Sequence, residues 1–112
     1  MSEWIELRTA DGHDLSAYVT RPDGEPIGAL ILVQEIFGVN AHIRGVADGD
    51  AKDGFIVIAP ALFDRFGARI ELKYEGEDAQ RAGELWKRLE PDKALLDLAA
   101  AYEAAKATRK TA

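Results

Sequence analysis

Apolar and polar residues alternate in two stretches near the N-terminus, residues 3–8 and 15–20. A period of two predicts β-strands that bury one face. Asp11 and Gly12 lie between the two stretches and can supply the positive φ of a tight turn. The N-terminal region is therefore predicted to form a β-hairpin.

Two later stretches, residues 29–33 and 55–59, are apolar without interruption. Such runs are typical of parallel strands that are covered on both faces. Roughly 20 residues separate them, which suits a helical crossover between neighbouring parallel strands. A βαβ unit is predicted to follow the hairpin.

The crossover helix is predicted over residues 41–53 and is the weakest of the predicted elements. Gly45 and Gly49 lie inside it, and each glycine costs about 1 kcal/mol relative to alanine. One inward-facing position is Asp50, whose carboxylate would point at the core. We therefore expect the helix to fray early. The predicted inward stripe consists of Ile43, Val46, Ala47, Asp50 and Ala51.

Two amphipathic helices are predicted next, over residues 77–89 and 92–106. Each carries apolar side chains at helical spacing along one stripe. Pro91 fits the first position of the second helix, where its missing N–H is no loss. The stripes are Ala79, Ala82, Leu85, Trp86 and Leu89, and then Leu95, Leu98, Ala99, Tyr102 and Ala105. The predicted fold class is α/β: a β-hairpin followed by a βαβ unit and two further helices.

The composition indicates a single globular domain over residues 1–112. Apolar residues make up 47% of the chain and charged residues 30%, an ordinary balance for a protein with a hydrophobic core. The formal net charge of −6 argues against a nucleic-acid partner, because phosphate binding relies on clustered lysine and arginine. The apolar runs are far shorter than the roughly 20 residues that span a bilayer, and the N-terminus has no basic leader region. We expect a cytoplasmic protein without a membrane partner.

Glu35 is the first candidate for a functional side chain. It follows the apolar run that ends at Val33, at the carboxyl end of a predicted parallel strand, where α/β sheets place their ligands. A polar residue at this point can also be simply solvated, or it can cap the following helix. The residue pattern alone leaves these interpretations open.

The segment that contains Glu35 resembles the N-terminal signature of the dienelactone hydrolases. Residues 34–40 read Gln-Glu-Ile-Phe-Gly-Val-Asn, and they are followed by His-Ile-Arg at 42–44 and Gly-Phe-Ile-Val-Ile-Ala-Pro-Ala-Leu-Phe at 54–63. The similarity continues at Ile70, Glu71, Leu72, Tyr74, Glu77 and Asp78. It implies that the chain forms the N-terminal half of an α/β-hydrolase sheet. It also implies an activity toward small-molecule carboxylic esters or lactones, with no cofactor.

The resemblance further implies roles for two neighbouring residues. In the family, the glutamate that matches Glu35 contacts a Cys or Ser nucleophile and helps to control its ionisation. The backbone N–H that matches Ile36 contributes to the oxyanion hole. A fixed N–H can stabilise a developing alkoxide whichever side chain is attached to it.

A substrate-binding arginine is also implied, because family members that bind acidic lactones hold the substrate carboxylate with an arginine from the region of the helix over residues 77–89. Arg81 is the candidate here. The helical register leaves Arg65, Arg69 or Arg88 as alternatives, and an arginine on a solvated helix face needs no function at all.

The catalytic nucleophile is missing from the sequence. There is no cysteine and no Gly-x-Ser-x-Gly motif, and the two serines lie at a terminus (Ser2) and within a predicted strand (Ser16). His13 and His42 are interpreted as solvated or capping residues of a turn and a helix start. In the family the nucleophile follows one strand after the helix that ends here near Lys106. We expect a chain that is truncated before the nucleophile and inactive alone, which leaves the natural substrate and the identity of the nucleophile open.

The alternative is a non-catalytic binding or assembly module that pairs with a second chain. In α/β-hydrolases the strand that matches residues 29–33, from Ala29 to Val33, lies between the strand of residues 55–59 and the strand of the nucleophile. Without that last strand one edge would be unpaired, so we expect self-association, binding of a complementary chain, or aggregation. A flavodoxin-like nucleotide binder is excluded, since neither apolar run is followed by a glycine-rich phosphate motif.

Overall fold

The N-terminal alternation forms the predicted β-hairpin in the computed structural model, which describes residues 2–111 and the side chains of residues 2–107. Strand β1 (Ser2–Arg8) pairs antiparallel with β2 (Asp14–Thr20). Gly12 has a φ of 82° in the connecting turn, a conformation that favours glycine. The hairpin prediction is confirmed.

Two further strands complete a four-stranded sheet in the order β1-β2-β4-β3. Strand β4 (Phe55–Pro60) pairs antiparallel with β2 and parallel with β3 (Gly28–Ile31). The parallel pair is joined by a helix, which confirms the βαβ unit. β2 and β4 therefore occupy the centre of the sheet, and β3 lies at one edge.

β3 is shorter than predicted, because it ends at Ile31 and not at Val33. The Leu32 N–H still donates to the Ile58 carbonyl at 2.9 Å, so the ladder continues for one more bond. In a parallel ladder the next bond would come from the N–H of residue 60, which is proline and has none. The chain then leaves the sheet, and Val33 is exposed.

The crossover helix α1 (Ala41–Lys52) is continuous, so the expected early fraying is wrong. The Asn40 side chain caps the helix by accepting a hydrogen bond from the Ile43 N–H at 3.0 Å. The helix positions that face the sheet are four residues apart, beginning at Ile43. Val46 is therefore exposed, and Asp50 is half-buried. This narrow stripe of Ile43, Ala47 and Ala51 packs on the sheet without burying a carboxylate.

Helices α2 (Gly76–Arg88) and α3 (Pro91–Thr111) form where the amphipathic patterns predict them, although α3 continues beyond residue 106. Trp86, which was predicted to face inward on α2, is exposed. α1 covers one face of the sheet and α3 covers the other. α2 packs instead on an apolar cluster beside the loop that follows β3. That cluster consists of Phe63, Leu72, Ala82 and Leu85, with Ile36, Phe37, Phe66, Ile70 and Leu89 around it. Across residues 2–111, no helix combines the length and apolarity needed to cross a membrane.

α3 buries a face that is rotated from the predicted one, and of the predicted stripe only Ala105 is buried. Leu95 is 63% exposed and Tyr102 is 55% exposed, whereas Asp97 is fully buried. Asp97 shares its face with Ala101 and Ala105, which follow it at intervals of one helical turn and pack on the sheet. The large apolar side chains therefore predicted the wrong orientation of α3. The small side chains of Ala101 and Ala105 face the sheet instead, because they let the helix approach it more closely.

An ion-pair network explains how a carboxylate can lie on the buried face of α3. Arg65 follows β4 in a short 3-10 helix (Leu62–Arg65), and its Nη2 lies 2.8 Å from Asp97 Oδ1. Arg65 Nη1 also lies 3.1 Å from Asp11 Oδ2, and Lys93 Nζ lies 3.3 Å from the same oxygen. The network thus joins the hairpin turn, the 3-10 helix and α3.

Candidate functional site

The loop between β3 and α1 brings the candidate residues to the carboxyl end of β3. Gln34 is only 3% exposed, and its Oε1 accepts a hydrogen bond from the Leu62 N–H at 2.8 Å. Its Nε2 donates to the Glu35 carbonyl at 3.1 Å, and the Gly38 N–H donates to the same carbonyl at 3.2 Å. The side chain of Gln34 therefore connects the end of β3 to the residues that follow β4.

Gly38 gives this loop its tight shape. Its φ is 88°, and a Cβ at this position would lie 2.0 Å from the Ile70 carbonyl oxygen. The Leu72 N–H donates to the Phe37 carbonyl at 3.0 Å, so the segment around Glu71 lies directly against the loop. Only glycine fits here, because the position requires both a positive φ and an absent side chain.

Glu35 presents its carboxylate outward from the loop. The side chain is 65% exposed, and Oε1 lies 3.9 Å from His42 Nε2 on the first turn of α1. Among the described side chains and backbone N–H groups, none donates a hydrogen bond to this carboxylate within 3.5 Å. The Ile36 N–H likewise has no acceptor in the part of the chain that the structure describes. A carboxylate and an unused backbone donor thus adjoin each other at the carboxyl end of β3.

An open cavity of about 580 Å³ lies beside this loop and the start of α1. Its lining residues include His42, Lys73 and Glu75. Tyr74 shapes one wall, because its hydroxyl accepts a hydrogen bond from Asn40 Nδ2 at 2.9 Å and its ring meets Phe37 edge-on. Glu35 itself does not line the cavity, but its Oε1 lies 3.9 Å from Nε2 of His42, which does.

The four candidate arginines differ in what they contact. Arg65 is held by Asp97 and Asp11, Arg69 lies over the Trp4 ring at 4.5 Å, and Arg88 lies over the Phe66 ring at 5.0 Å. Arg81 is exposed on α2 and makes no ion pair within the described residues.

The serines and histidines have structural settings. Ser16 lies buried in β2, and its hydroxyl donates to Glu6 at 3.0 Å, while the Ser2 hydroxyl is hydrogen-bonded to Thr20 and Asp48. His13 is partly exposed, but its Nε2 is buried and has no hydrogen-bond partner among the described residues. No serine is hydrogen-bonded to a histidine among the described residues, so none has the base that activates a hydroxyl.

Sequence reasoning missed the role of Gln34. A single polar residue directly after an apolar strand was the available signal, but a buried amide is recognised only when its partners are known. Its partner Leu62 follows the next strand of the sheet, and the two positions meet only because β3 and β4 are parallel neighbours.

Comparison with known proteins agrees with this architecture. The model of the dienelactone hydrolase family matches residues 15–112. A carboxymethylenebutenolidase of Pseudomonas putida is 30% identical over 107 residues, which cover 95% of this chain and 45% of that protein. A proposed carboxymethylenebutenolidase of Escherichia coli is 44% identical over 61 residues, which cover 52% of this chain and 22% of that protein.

A solved structure has the same fold over the matched residues. A proposed dienelactone hydrolase from Klebsiella pneumoniae superposes with a TM-score of 0.74 and 29% sequence identity, over 95% of this chain and 44% of that chain. The chain thus spans less than half the length of the relatives it matches, and its sheet corresponds to part of an α/β-hydrolase fold. On the strength of the family match over residues 15–112, the chain belongs to the dienelactone hydrolase family.

Proposed function

We propose that this chain contributes Glu35 and the Ile36 N–H to the active site of a hydrolase that cleaves carboxylic esters or lactones. The observation that carries the proposal is the loop after β3, where an exposed carboxylate adjoins a backbone N–H without an acceptor in the described residues. Family membership supports the reaction class. The Pseudomonas putida relative is named for a lactone substrate, a carboxymethylenebutenolide.

Acyl transfer makes specific demands that these two groups would meet. When a nucleophile attacks the carbonyl carbon, negative charge develops on the carbonyl oxygen, and the Ile36 N–H would donate a hydrogen bond to that oxygen. The Glu35 carboxylate would accept a hydrogen bond from the nucleophile and influence its protonation. The nucleophile itself must come from residues other than these 112, because the chain has no cysteine and no activated serine.

Arg81 is proposed as the binding group for an acidic substrate. It is exposed and holds no carboxylate within the described residues, in contrast to Arg65. An anionic lactone would gain a charge-assisted hydrogen bond from a guanidinium at this position.

The proposal predicts a loss of catalysis when Glu35 becomes glutamine. The test is a chimera in which this chain replaces the matching N-terminal part of the Pseudomonas putida enzyme, so that the remainder supplies the nucleophile. Glu35→Gln is expected to lower kcat/KM at least tenfold, or about 1.4 kcal/mol in the barrier, because the amide cannot take up the nucleophile's proton. The 112-residue chain alone is expected to show no turnover.

Glu25→Gln is the matched control, since Glu25 is also exposed but precedes β3 at its opposite end. It should leave the kinetics of the chimera unchanged. Unchanged kinetics in Glu35→Gln would reduce Glu35 to a surface residue, and turnover by the chain alone that is abolished by Ser16→Ala would overturn the structural interpretation of that serine.

A second candidate function, assembly with another chain, is favoured by the edge of the sheet. β3 pairs only with β4 within residues 2–111, and its other backbone groups face outward. No charged residue lies between Glu25 and Glu35, and Ile27, Leu30 and Val33 are exposed. Natural sheet edges are usually protected by charge, proline or a covering element. A groove of about 300 Å³ between β3 and α3 adds apolar surface next to the edge.

This edge predicts self-association that a single charge can prevent. Light scattering of the isolated chain is expected to show association as the concentration rises to high micromolar values, and Leu30→Lys is expected to suppress it, because a lysine on an edge strand opposes strand pairing. Leu95→Lys is the control, since Leu95 is exposed on α3 away from the groove. A wild-type monomer with slow amide exchange at residues 30–33 would show that the edge is not available.

A further inference from the structure

The peptide group between Glu35 and Ile36 is held from its carbonyl side. A peptide is planar, and in the trans form its N–H and C=O point in opposite directions. The Glu35 carbonyl accepts two hydrogen bonds, one from Gln34 Nε2 at 3.1 Å and one from the Gly38 N–H at 3.2 Å. The direction of the Ile36 N–H is therefore determined by the two donors that hold the carbonyl of the same peptide.

The orientation of the Gln34 amide is itself determined by its other contact. Its Oε1 faces the Leu62 N–H at 2.8 Å, and a backbone N–H can only donate. The Nε2 must then face the Glu35 carbonyl, which can only accept. The contact with Leu62 is buried and the contact with Glu35 is partly buried, so an unpaired polar group would be costly here. The amide thus has one favourable orientation.

We infer that Gln34 is a positioning residue for the oxyanion donor: its side-chain amide fixes the plane of the peptide that contains the Ile36 N–H. The catalytic meaning of this inference depends on the proposed function, while the geometry does not. A donor that is fixed before the reaction needs no reorganisation when charge develops in front of it. Donors on the carbonyl also polarise the peptide and strengthen its N–H as a donor.

Replacing the Gln34 amide by a carboxyl group keeps one of its two contacts and changes the other. Gln34→Glu keeps an oxygen acceptor for the Leu62 N–H. When the new carboxyl is protonated, its O–H can donate to the Glu35 carbonyl, and when it is ionised, an oxygen faces that carbonyl and repels it. The orientation of the Ile36 N–H should therefore depend on pH in this variant but not in the wild-type chain.

The experiment measures the residual dipolar coupling of the Ile36 N–H and the carbonyl ¹³C shift of Glu35 in the 112-residue chain, at concentrations below those at which light scattering detects association. The pH range is about 4 to 8, which covers the ionisation of an ordinary glutamate. Each value is compared with the wild type at the same pH, so that pH effects common to both proteins cancel. Gln34→Glu is expected to match the wild type at low pH and to depart from it as the new carboxyl ionises. Gln80→Glu, at the exposed second glutamine of the chain, should match throughout.

Couplings for Val57 and Ala59 in β4 report whether the variant keeps its fold. If it unfolds at high pH, Gln34→Met replaces it, and the Glu35 carbonyl shift should then differ from the wild type at every pH. An Ile36 coupling that is the same in wild type and Gln34→Glu at all pH values, or a Glu35 shift unchanged in Gln34→Met, would overturn the inference. A positive result here with unchanged kinetics in the Glu35→Gln chimera would keep the positioning role of Gln34 and remove the proposed catalytic role of Glu35.

Discussion

Replacing Arg65 by methionine is expected to lower the free energy of unfolding by about 3–5 kcal/mol, because it leaves a buried carboxylate without its partner. The Asp97 side chain is 1% exposed, and its oxygens accept hydrogen bonds from Arg65 Nη2 at 2.8 Å and Nε at 3.3 Å. No other side chain donates to Asp97 within the described residues. Urea denaturation of the variant and the wild type measures the difference.

Two further variants test whether the effect comes from the unpaired charge. Combining Arg65→Met with Asp97→Leu should recover much of the loss, because replacing both members of a buried ion pair removes the uncompensated carboxylate. Arg8→Met, which breaks the exposed pair of Arg8 and Asp14, should cost less than about 1 kcal/mol. If Arg65→Met were no more harmful than Arg8→Met, the network would not hold α3 in place.

The loss of stability caused by Arg65→Met is expected to change with pH in a defined direction. Burial raises the pKa of Asp97 in the folded chain, against the hydrogen bond from Arg65, which lowers it. A carboxyl with a raised folded pKa contributes most stability when protonated, and this contribution is lost as the pH rises through the folded pKa. Without Arg65 the pKa of Asp97 rises further, so the deficit of the variant relative to the wild type should shrink on mild acidification.

Asp11 contributes in the opposite direction. The hydrogen bond from Arg65, followed by that from Thr9, holds the pKa of Asp11 well below its ordinary value. Its stabilising effect is present above the unfolded pKa of about 3.9 and is lost as the pH falls through the lower folded value. The Arg65→Met variant lacks this contribution at neutral pH, and the wild type loses it at acidic pH, so the stability difference between them again becomes smaller on acidification. A difference that grows on acidification would contradict the roles given to Asp97 and Asp11.

Gly38→Ala is expected to destabilise the chain by about 2–4 kcal/mol, because a non-glycine residue with positive φ is strained and its Cβ would also meet the backbone. The added Cβ would lie 2.0 Å from the Ile70 carbonyl oxygen. Because that oxygen belongs to the backbone, the clash can be relieved only by moving the loop. Thermal and urea unfolding measure the loss.

Gly12→Ala isolates the conformational part of this prediction, so the difference between the two substitutions measures the steric part. Gly12 has a φ of 82°, close to that of Gly38, but a Cβ there would meet nothing within 4 Å. Only the conformational strain should remain, at about 1 kcal/mol. Equal effects of the two substitutions would show that the contact between the Glu35 loop and Ile70 is loose. A larger effect at Gly38 would confirm that this contact shapes the candidate site.

The sequence by itself determined the elements and their order. Period-two alternation predicts β1 and β2, and uninterrupted apolar runs predict β3 and β4, because both patterns are typical of strands. The number of buried faces was not predicted correctly, since β2 is buried along both faces and Leu30 of the edge strand β3 is exposed. Residues 34–40 identified the family and placed Glu35 and Ile36 at the end of a parallel strand. These conclusions depend on neighbours along the chain, which a sequence shows directly.

The tertiary structure decided what depends on distant partners. β3 ends early because Pro60 on the adjacent strand has no N–H to donate, and α3 turns Asp97 inward because Arg65 from another element neutralises it. Gln34 orients the Ile36 peptide only because Leu62 lies beside it in the folded chain. Hydrophobic periodicity treats every polar residue as exposed, whereas the free energy of burying one is set by the hydrogen-bonding group that meets it in space.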